Sequence, residues 1–269
     1  MNFLVPCLLL LVSALGAQAP AVRPIQRELL QVPTRKGVTQ PCLLLTEAPS
    51  PRAVALLFPG GGGVLALGRR SLPEVFSPSG NFLVRSAELL LSPELALALV
   101  DAPSDAAGGM DDGFRMGDDH LADVRALILA LRMRFPAAKV FLVGTSRGTV
   151  SAAYGAEALG AGLDGVVLTS SVLVASRREP GLSGFPFARV KAPILFVHHG
   201  EDACPVCPYS AAVRASAKIK AALITVHGGP EPHSGPCEPL SAHGFFGREA
   251  EVTQAIRAWI LGRPFLKEL

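Results

Sequence analysis

Ser146 is the residue whose neighbours most clearly predict chemistry, because it is the centre of a Gly-Thr-Ser-Arg-Gly pentapeptide at positions 144–148. The apolar run 139–143 before it is typical of a buried strand, and the small apolar residues 149–159 after it suit a helix packed on a sheet. The two glycines allow a tight turn in which a strained serine exposes its hydroxyl. The pattern predicts that Ser146 is a nucleophile. It also predicts that the backbone N–H of Arg147, at the helix start, stabilises an oxyanion.

A second oxyanion donor is predicted after the apolar strand 53–58. This strand runs into Pro59 and then into four consecutive glycines, Gly60, Gly61, Gly62 and Gly63. A run of glycines can turn its backbone N–H groups toward an anion, and we predict this role for the loop. A flexible surface loop is the alternative interpretation.

An acid is predicted after the apolar strand 192–198. A turn glycine follows this strand, and Asp202 comes just after it, at the edge of a parallel sheet where ligands bind. Glu201 is interpreted as surface charge. Asp101 and Asp105, which follow another apolar strand, are the fallback acids.

Six histidines compete for the role of base. Four of them lie at a helix start or at strand ends and are given no catalytic role: His120, His198, His199 and His227. His233 and His243 remain. His243 lies just ahead of the last amphipathic helix, which is predicted over 249–261.

These segments together resemble the α/β-hydrolase superfamily, and within it secreted bacterial hydrolases of the dienelactone-hydrolase and polyester-depolymerase kind. The resemblance covers about residues 25–265. In that superfamily an oxyanion loop, the serine, the acid and the histidine follow in this order along the chain. The resemblance therefore implies a triad of Ser146, Asp202 and His243, with His233 as the weaker candidate base. Dienelactone hydrolases proper carry a cysteine nucleophile, so their substrate class is not implied, and Pro59 stands where lipases often have a histidine.

Alternating apolar strands and helices predict one α/β domain over residues 22–269, with the α/β-hydrolase fold. We expect a mostly parallel central sheet with helices on both faces, opened by a hairpin around residues 35–37. Further strands are predicted at 95–100, 165–169 and 222–226, and further helices at 81–91 and 118–134. Segment 170–192 is too short for a cap domain, so we expect a minimal cap or none. Segments 64–93 and 105–117 are either substrate walls or plain loops.

Residues 1–21 are predicted to be a signal peptide. An apolar stretch ends in small residues with A-x-A spacing at both Ala19 and Ala21, so cleavage after either is left open. A retained membrane anchor is the rival, but the stretch is short of the ~20 residues that span a bilayer. We expect a secreted or periplasmic protein with no stable membrane span in the mature chain.

Four cysteines follow that segment: Cys42, Cys204, Cys207 and Cys237. An even number in an exported chain permits disulfides. A bridge between Cys204 and Cys237 would tie the loop that carries Asp202 (the acid loop) to the loop that carries His243 (the histidine loop), and we predict this pair. The pairing of Cys42 and Cys207 is left open. The C-x-x-C spacing of Cys204 and Cys207 also suggests redox or zinc chemistry. No thioredoxin-like strand precedes it and no second ligand pair is obvious, so no metal is predicted.

The composition argues against a nucleic-acid partner. The net charge is +3 from 25 basic and 22 acidic residues, without a long basic run, and 6% aromatic content is low for a stacking surface. The predicted function is hydrolysis of a small-molecule or polymer ester through an acyl-enzyme, without a cofactor. A serine peptidase or amidase with the same triad, and a non-catalytic ligand-binding protein of the same fold, stay open. The oligomeric state and the acyl and alcohol parts of the substrate are not predicted.

Overall fold

The protein is described by a computed structural model over residues 24–269, and the predicted signal peptide lies outside the described residues. Within these residues, eight strands form one sheet. Their bounds are β1 (Gln26–Pro33), β2 (Thr39–Thr46), β3 (Ala53–Phe58), β4 (Leu95–Val100), β5 (Lys139–Thr145), β6 (Gly165–Thr169), β7 (Ile194–His199) and β8 (Ala222–Val226). The order across the sheet is β1-β2-β4-β3-β5-β6-β7-β8.

The sheet is antiparallel at one edge and parallel elsewhere. β1 and β2 form the predicted hairpin, and β2 runs antiparallel to β4. All other neighbours are parallel. Every residue of β3, β4, β6 and β7 is buried, as expected where helices cover both faces of a parallel sheet.

In the part of the chain that the structure describes, eight α-helices connect and cover these strands. Their bounds are α1 (Leu72–Val75), α2 (Phe82–Arg85), α3 (Ala87–Leu90), α4 (Asp112–Met116), α5 (Asp118–Arg134), α6 (Gly148–Leu159), α7 (Tyr209–Ile219) and α8 (Glu249–Ile260). Residues of α2, α3 and α8 share one apolar core with one face of the sheet, and residues of α5 and α6 share a second core with the other face. The predicted layer architecture is thereby confirmed.

Several helices differ from the sequence-based expectation: α1, α4 and α7 were not predicted, and one predicted helix is divided in two. The single helix predicted over 81–91 is broken at Ser86 into α2 and α3. Three consecutive residues of α2 are buried, which one face of a continuous helix cannot achieve. Helix α7 was not predicted, because its buried face consists of Ala and Ser rather than large apolar residues. It is the crossover that the parallel pair β7 and β8 requires. Within residues 24–269, no helix has the length and apolar content needed to cross a membrane.

Candidate active site

Ser146 lies at the turn between β5 and α6 in a conformation that few residues other than glycine adopt. Its φ is +51°, in the left-handed region. The backbone is held there from both sides: the N–H of Ser146 donates to the carbonyl of Thr169 at 3.0 Å, and its carbonyl accepts from the N–H of Thr149 at 2.9 Å. Strain of this kind costs on the order of 1–3 kcal/mol and persists only where the surroundings enforce it. The turn leaves the serine half-buried and facing a cavity.

The two glycines of the pentapeptide are required by close backbone approaches. A Cβ on Gly144 would lie 2.7 Å from the Cα of Thr149, and one on Gly148 would lie 2.7 Å from the carbonyl oxygen of Pro59 and closer still to that of Phe58. The start of α6 therefore packs directly against the backbone that leads into the glycine loop. This contact holds Ser146 beside Gly60, where a Cβ would be 3.0 Å from the Cβ of Ser146.

His243 and Asp202 form a buried pair. The Nδ1 of His243 lies 2.9 Å from the Oδ2 of Asp202, and the two side chains are 5% and 0% exposed. The other carboxylate oxygen accepts the backbone N–H of Cys204 at 2.9 Å. Ser170 donates to the carbonyl of His243 at 2.7 Å, which fixes the histidine loop against the end of β6. Asp202 is therefore placed to hold one tautomer of the imidazole, with the proton on Nδ1.

Ser146 and His243 line the same cavity of about 230 Å³. The Nε2 of His243 is buried and has no hydrogen-bond partner among the described residues. An imidazole whose Nδ1 donates to a carboxylate presents Nε2 as an acceptor, and this is the nitrogen that can take a proton. A second cavity, of about 580 Å³, adjoins the first and shares Gly61, Ser146 and Cys237 with it. The serine thus has space on both sides.

The glycine loop contributes its first half to this cleft. Gly60 and Gly61 line the cavities, whereas Gly62 and Gly63 do not. The N–H of Gly63 donates to the carbonyl of Gly60 at 3.1 Å, so the turn itself uses this donor. Within residues 24–269, the backbone N–H groups of Gly61 and Arg147 donate no hydrogen bond to a protein atom. These two donors are available to an oxyanion.

Two buried charged residues, Arg115 and Asp101, hold the glycine loop in place. The sequence did not predict this role for either of them. Arg115 is fully buried and donates to the carbonyl of Gly61 at 3.0 Å and to the hydroxyl of Ser151 at 2.8 Å. Burial lowers the pKa of Arg115 to about 10, which leaves it charged at neutral pH. Asp101, the fallback acid, accepts the N–H of Leu65 at 2.6 Å and that of Leu67 at 2.7 Å. The signal in the sequence was an arginine in the glycine-rich segment 105–117, whose residues 112–116 form α4.

The side chain of Arg147 anchors the wall of the larger cavity. It pairs with buried Asp112 at 3.0 Å and with Glu179 at 2.8 Å. Burial alone would lower the pKa of Arg147, but these two carboxylates hold it above its usual value. Asp112 also accepts the N–H of Gly181 at 2.9 Å. Segment 176–181 is therefore clamped onto α4 and borders the cleft.

The rival histidines lie elsewhere. His233 is exposed, and its ring packs on Phe246 with centroids 5.0 Å apart. His120 and His198 are fully buried, and burial lowers the pKa of each to about 3. His227 is exposed and binds Glu201 at 3.0 Å, an interaction that raises the pKa of the histidine and lowers that of Glu201. None of these rings lines either cavity that contains Ser146.

The remaining fallback acid, Asp105, also has a partner outside the cleft. Its carboxylate accepts from Arg35 at 2.8 Å. This hydrogen bond and the charge of Arg35 lower the pKa of Asp105. Asp105 lines neither cavity that contains Ser146.

A disulfide joins the acid loop to the histidine loop, as predicted. It links Cys204 to Cys237, with their Cα atoms 4.7 Å apart. Cys42 and Cys207 are free and buried. The Sγ of Cys207 lies within 4.8 Å of both the Sγ of Cys204 and a ring nitrogen of His243.

No protein-family model matches the sequence, and no curated protein matches it. Solved structures do match. Dienelactone hydrolase from Anabaena variabilis superposes with a TM-score of 0.63 at 19% identity, over 89% of this chain and 98% of that one. XC6422 from Xanthomonas campestris, a serine hydrolase described as lacking a lid, gives 0.58 at 15%, over 90% and 99%. Acylaminoacyl peptidase from Pyrococcus horikoshii gives 0.56 at 12%, over 90% of this chain and 42% of that one.

Proposed function

The chain has the α/β-hydrolase fold, and on that basis we propose that it is a serine hydrolase whose substrates are carboxylic esters. The observation that carries the proposal is the convergence of three side chains from distant loops. Ser146 stands in a strained turn with φ +51°, His243 lines the same cavity, and Asp202 binds the imidazole at 2.9 Å. Nucleophile, base and orienting acid are the parts that acyl transfer needs.

The proposed mechanism begins with attack of the Ser146 hydroxyl on the ester carbonyl. The Nε2 of His243 takes the serine proton and later delivers it to the leaving alcohol, while Asp202 stabilises the imidazolium. The N–H groups of Gly61 and Arg147 stabilise the negative oxygen of the tetrahedral intermediate. Water then hydrolyses the acyl-enzyme by the same proton transfers in reverse.

Replacement of the nucleophile tests the proposal most directly. Ser146→Ala should lower the hydrolysis of short p-nitrophenyl esters by roughly 10⁶-fold, because the covalent step is lost. A fluorophosphonate should label the wild-type protein at Ser146 and leave this variant unlabelled. Ser176→Ala is the matched control, since Ser176 lines the larger cavity and not the one that His243 lines. Labelling of a different serine would refute the assignment.

The acid is tested by an isosteric pair of variants. Asp202→Asn removes the negative charge beside the imidazole and should lower kcat by about 10⁴-fold. Glu201→Gln changes the neighbouring carboxylate, which is 58% exposed and binds His227 instead. This control should keep nearly full activity. Equal losses in both variants would contradict the role of Asp202.

The alternative proposal is a peptidase or amidase with the same triad. A solved peptidase shares the fold, and this is the reason to test amide substrates as well. Matched ester and anilide substrates with the same acyl group separate the two activities. Faster turnover of the anilide would replace the ester proposal while keeping the triad. A protein that binds an apolar ligand without any covalent labelling would be a binding protein of this fold.

We also propose export of the protein, which the disulfide between Cys204 and Cys237 supports because such bonds persist in oxidising compartments. Expression of the full chain in a Gram-negative host, followed by fractionation and N-terminal sequencing, tests this. A mature end at Pro20 or Val22 is expected. An intact N-terminus in the cytoplasmic fraction would refute export.

A further inference from the structure

We propose that reduction of the disulfide converts this corner of the cleft into a site for one thiophilic divalent cation, Zn²⁺ or Cd²⁺. The ligands are three sulfurs, from Cys204, Cys207 and Cys237, and one ring nitrogen of His243. We expect the bound cation to block ester hydrolysis, and this part rests on the function proposed above. The metal site itself stands on the positions of the four side chains.

The donor atoms lie near the separations that a tetrahedral metal needs, and the sulfurs of Cys204 and Cys237 move apart once their bond is reduced. The two sulfurs of Cys204 and Cys207 and a nitrogen of His243 lie within 4.8 Å of one another. Ligands at roughly 2.0–2.3 Å from zinc in a tetrahedron are about 3.3–3.8 Å apart, so each donor needs to move by about 1 Å or less. Cys237 is bonded to Cys204 and is therefore at the same place. Three thiolates and one imidazole form a complete zinc ligand set.

The ligands also come in the arrangement typical of zinc sites, as two pairs from two loops. Cys204 and Cys207 have C-x-x-C spacing in the turn after β7, and the N–H of Cys207 donates to the carbonyl of Cys204 at 3.0 Å. Cys237 and His243 belong to the loop before α8. The second ligand pair that the sequence did not reveal is supplied by the fold.

Burial and access both suit such a site. Cys204 is 1% exposed, Cys207 is 0% and His243 is 4%. Cys237 is exposed and lines both cavities beside Ser146, so a reductant or a cation enters there. In the oxidised protein Cys207 packs with Val172 and Val206 as a small apolar side chain. On reduction Cys207 gains a second role, as a metal ligand.

The chemistry balances with a small-molecule thiol as the reductant. The first thiolate attacks the accessible sulfur of Cys237 and displaces the thiolate of Cys204. A second thiol cleaves the mixed disulfide, which leaves two protein thiols and one small-molecule disulfide. Binding of the cation then displaces the protons of three thiols, and a nitrogen lone pair of His243 fills the fourth position.

Metal binding would inactivate His243 as the proposed base, whichever of its two ring nitrogens coordinates the cation. On Nδ1 the cation competes with the 2.9 Å hydrogen bond to Asp202, and on Nε2 it occupies the lone pair that accepts the serine proton. The oxidised protein offers only one thiol at this place. It should therefore be insensitive to the same concentration of cation.

Titration of the full-length protein with Cd²⁺ tests the site without reference to activity. Oxidised and thiol-reduced protein, freed of reductant under anaerobic conditions, are titrated while the ultraviolet thiolate-to-cadmium absorbance and the circular dichroism are recorded. We expect one equivalent bound by the reduced protein and none by the oxidised protein. Cys207→Ala should weaken binding by at least about 100-fold, by analogy with the 10–100-fold losses seen for supporting residues of metal sites.

Cys42→Ala is the matched control, because Cys42 is equally a free and buried thiol but lies in β2. It should bind Cd²⁺ as the wild type does. Equal affinity in the Cys207→Ala protein, or no stoichiometric binding by the reduced wild type, overturns the proposal whether or not the reduced protein stays folded.

Ester turnover is measured in the same samples. It should fall in step with cadmium binding in the reduced protein alone, and a chelator should restore it. Binding without inhibition would overturn the regulatory half of the proposal. Absence of turnover from every form would refute the proposed esterase while the absorbance titration still decides the metal site.

Discussion

Substitution of Gly148 by alanine tests the packing that positions the proposed nucleophile. In the interior of an exposed helix this change would stabilise by about 1 kcal/mol. Here the new Cβ would stand 2.7 Å from the carbonyl oxygen of Pro59 and closer to that of Phe58, where ordinary contact begins at 3.4 Å. Both neighbours are backbone atoms of the strand end and cannot rotate away. The start of α6 must therefore retreat by at least 0.7 Å from Pro59 and by more from Phe58.

The expected cost is about 3 kcal/mol, the upper end for overpacking, because the clash exceeds the gain in helix propensity. For a domain of this size it should lower Tm by about 6–12 °C. A displacement approaching 1 Å between Ser146 and the glycine loop should also lower kcat/KM by roughly 100-fold.

Urea denaturation and p-nitrophenyl ester hydrolysis measure the two effects. The matched control is Gly155→Ala in the same helix, whose Cβ would meet only methyl groups, of Leu142 at 3.1 Å and of Val124 at 3.9 Å. It should stay within about 1 kcal/mol of the wild type. A Gly148→Ala protein as stable and as active as that control would refute the close-packing account of the turn.

Three further outcomes are expected. His243→Ala should lose nearly as much ester turnover as the serine variant, whereas His233→Ala should keep most of it, and the reverse would move the base to His233. Reducing the disulfide of Cys204 and Cys237, which are 33 residues apart, should lower the free energy of unfolding by roughly 3–4 kcal/mol, and a Cys237 that is alkylated without reductant would contradict the pairing. Burial lowers the pKa of His120 to about 3. The unfolded chain therefore binds an extra proton at His120 below about pH 6.5, and this residue should lower stability by about 1.4 kcal/mol per pH unit toward pH 3, in addition to an equal contribution from His198. His120→Leu should reduce the total slope by about 1.4 kcal/mol per pH unit, and an unchanged slope would refute this source.

The elements of the fold were largely determined by local sequence. Strands β4, β6 and β8 have the bounds that their continuous apolar runs predict, and α5 begins with acidic residues and ends with basic ones as expected. A strand buried on both faces is mostly apolar, so the limits of the apolar run mark its ends in the sequence. The bridge between Cys204 and Cys237 could also be predicted, because both cysteines lie within a few residues of the loops that the fold brings together.

The details of the site were decided by tertiary contacts. Arg115 acts on Gly61 across 54 residues of chain, Asp112 holds Gly181 across 69, and neither pairing has a local signal. Cys207 meets His243 only because the loops after β7 and before α8 converge at one sheet edge. Local periodicity reports which face of an element is buried. Which distant side chain then lies opposite depends on the simultaneous packing of every layer, and a sequence window contains no information about that packing.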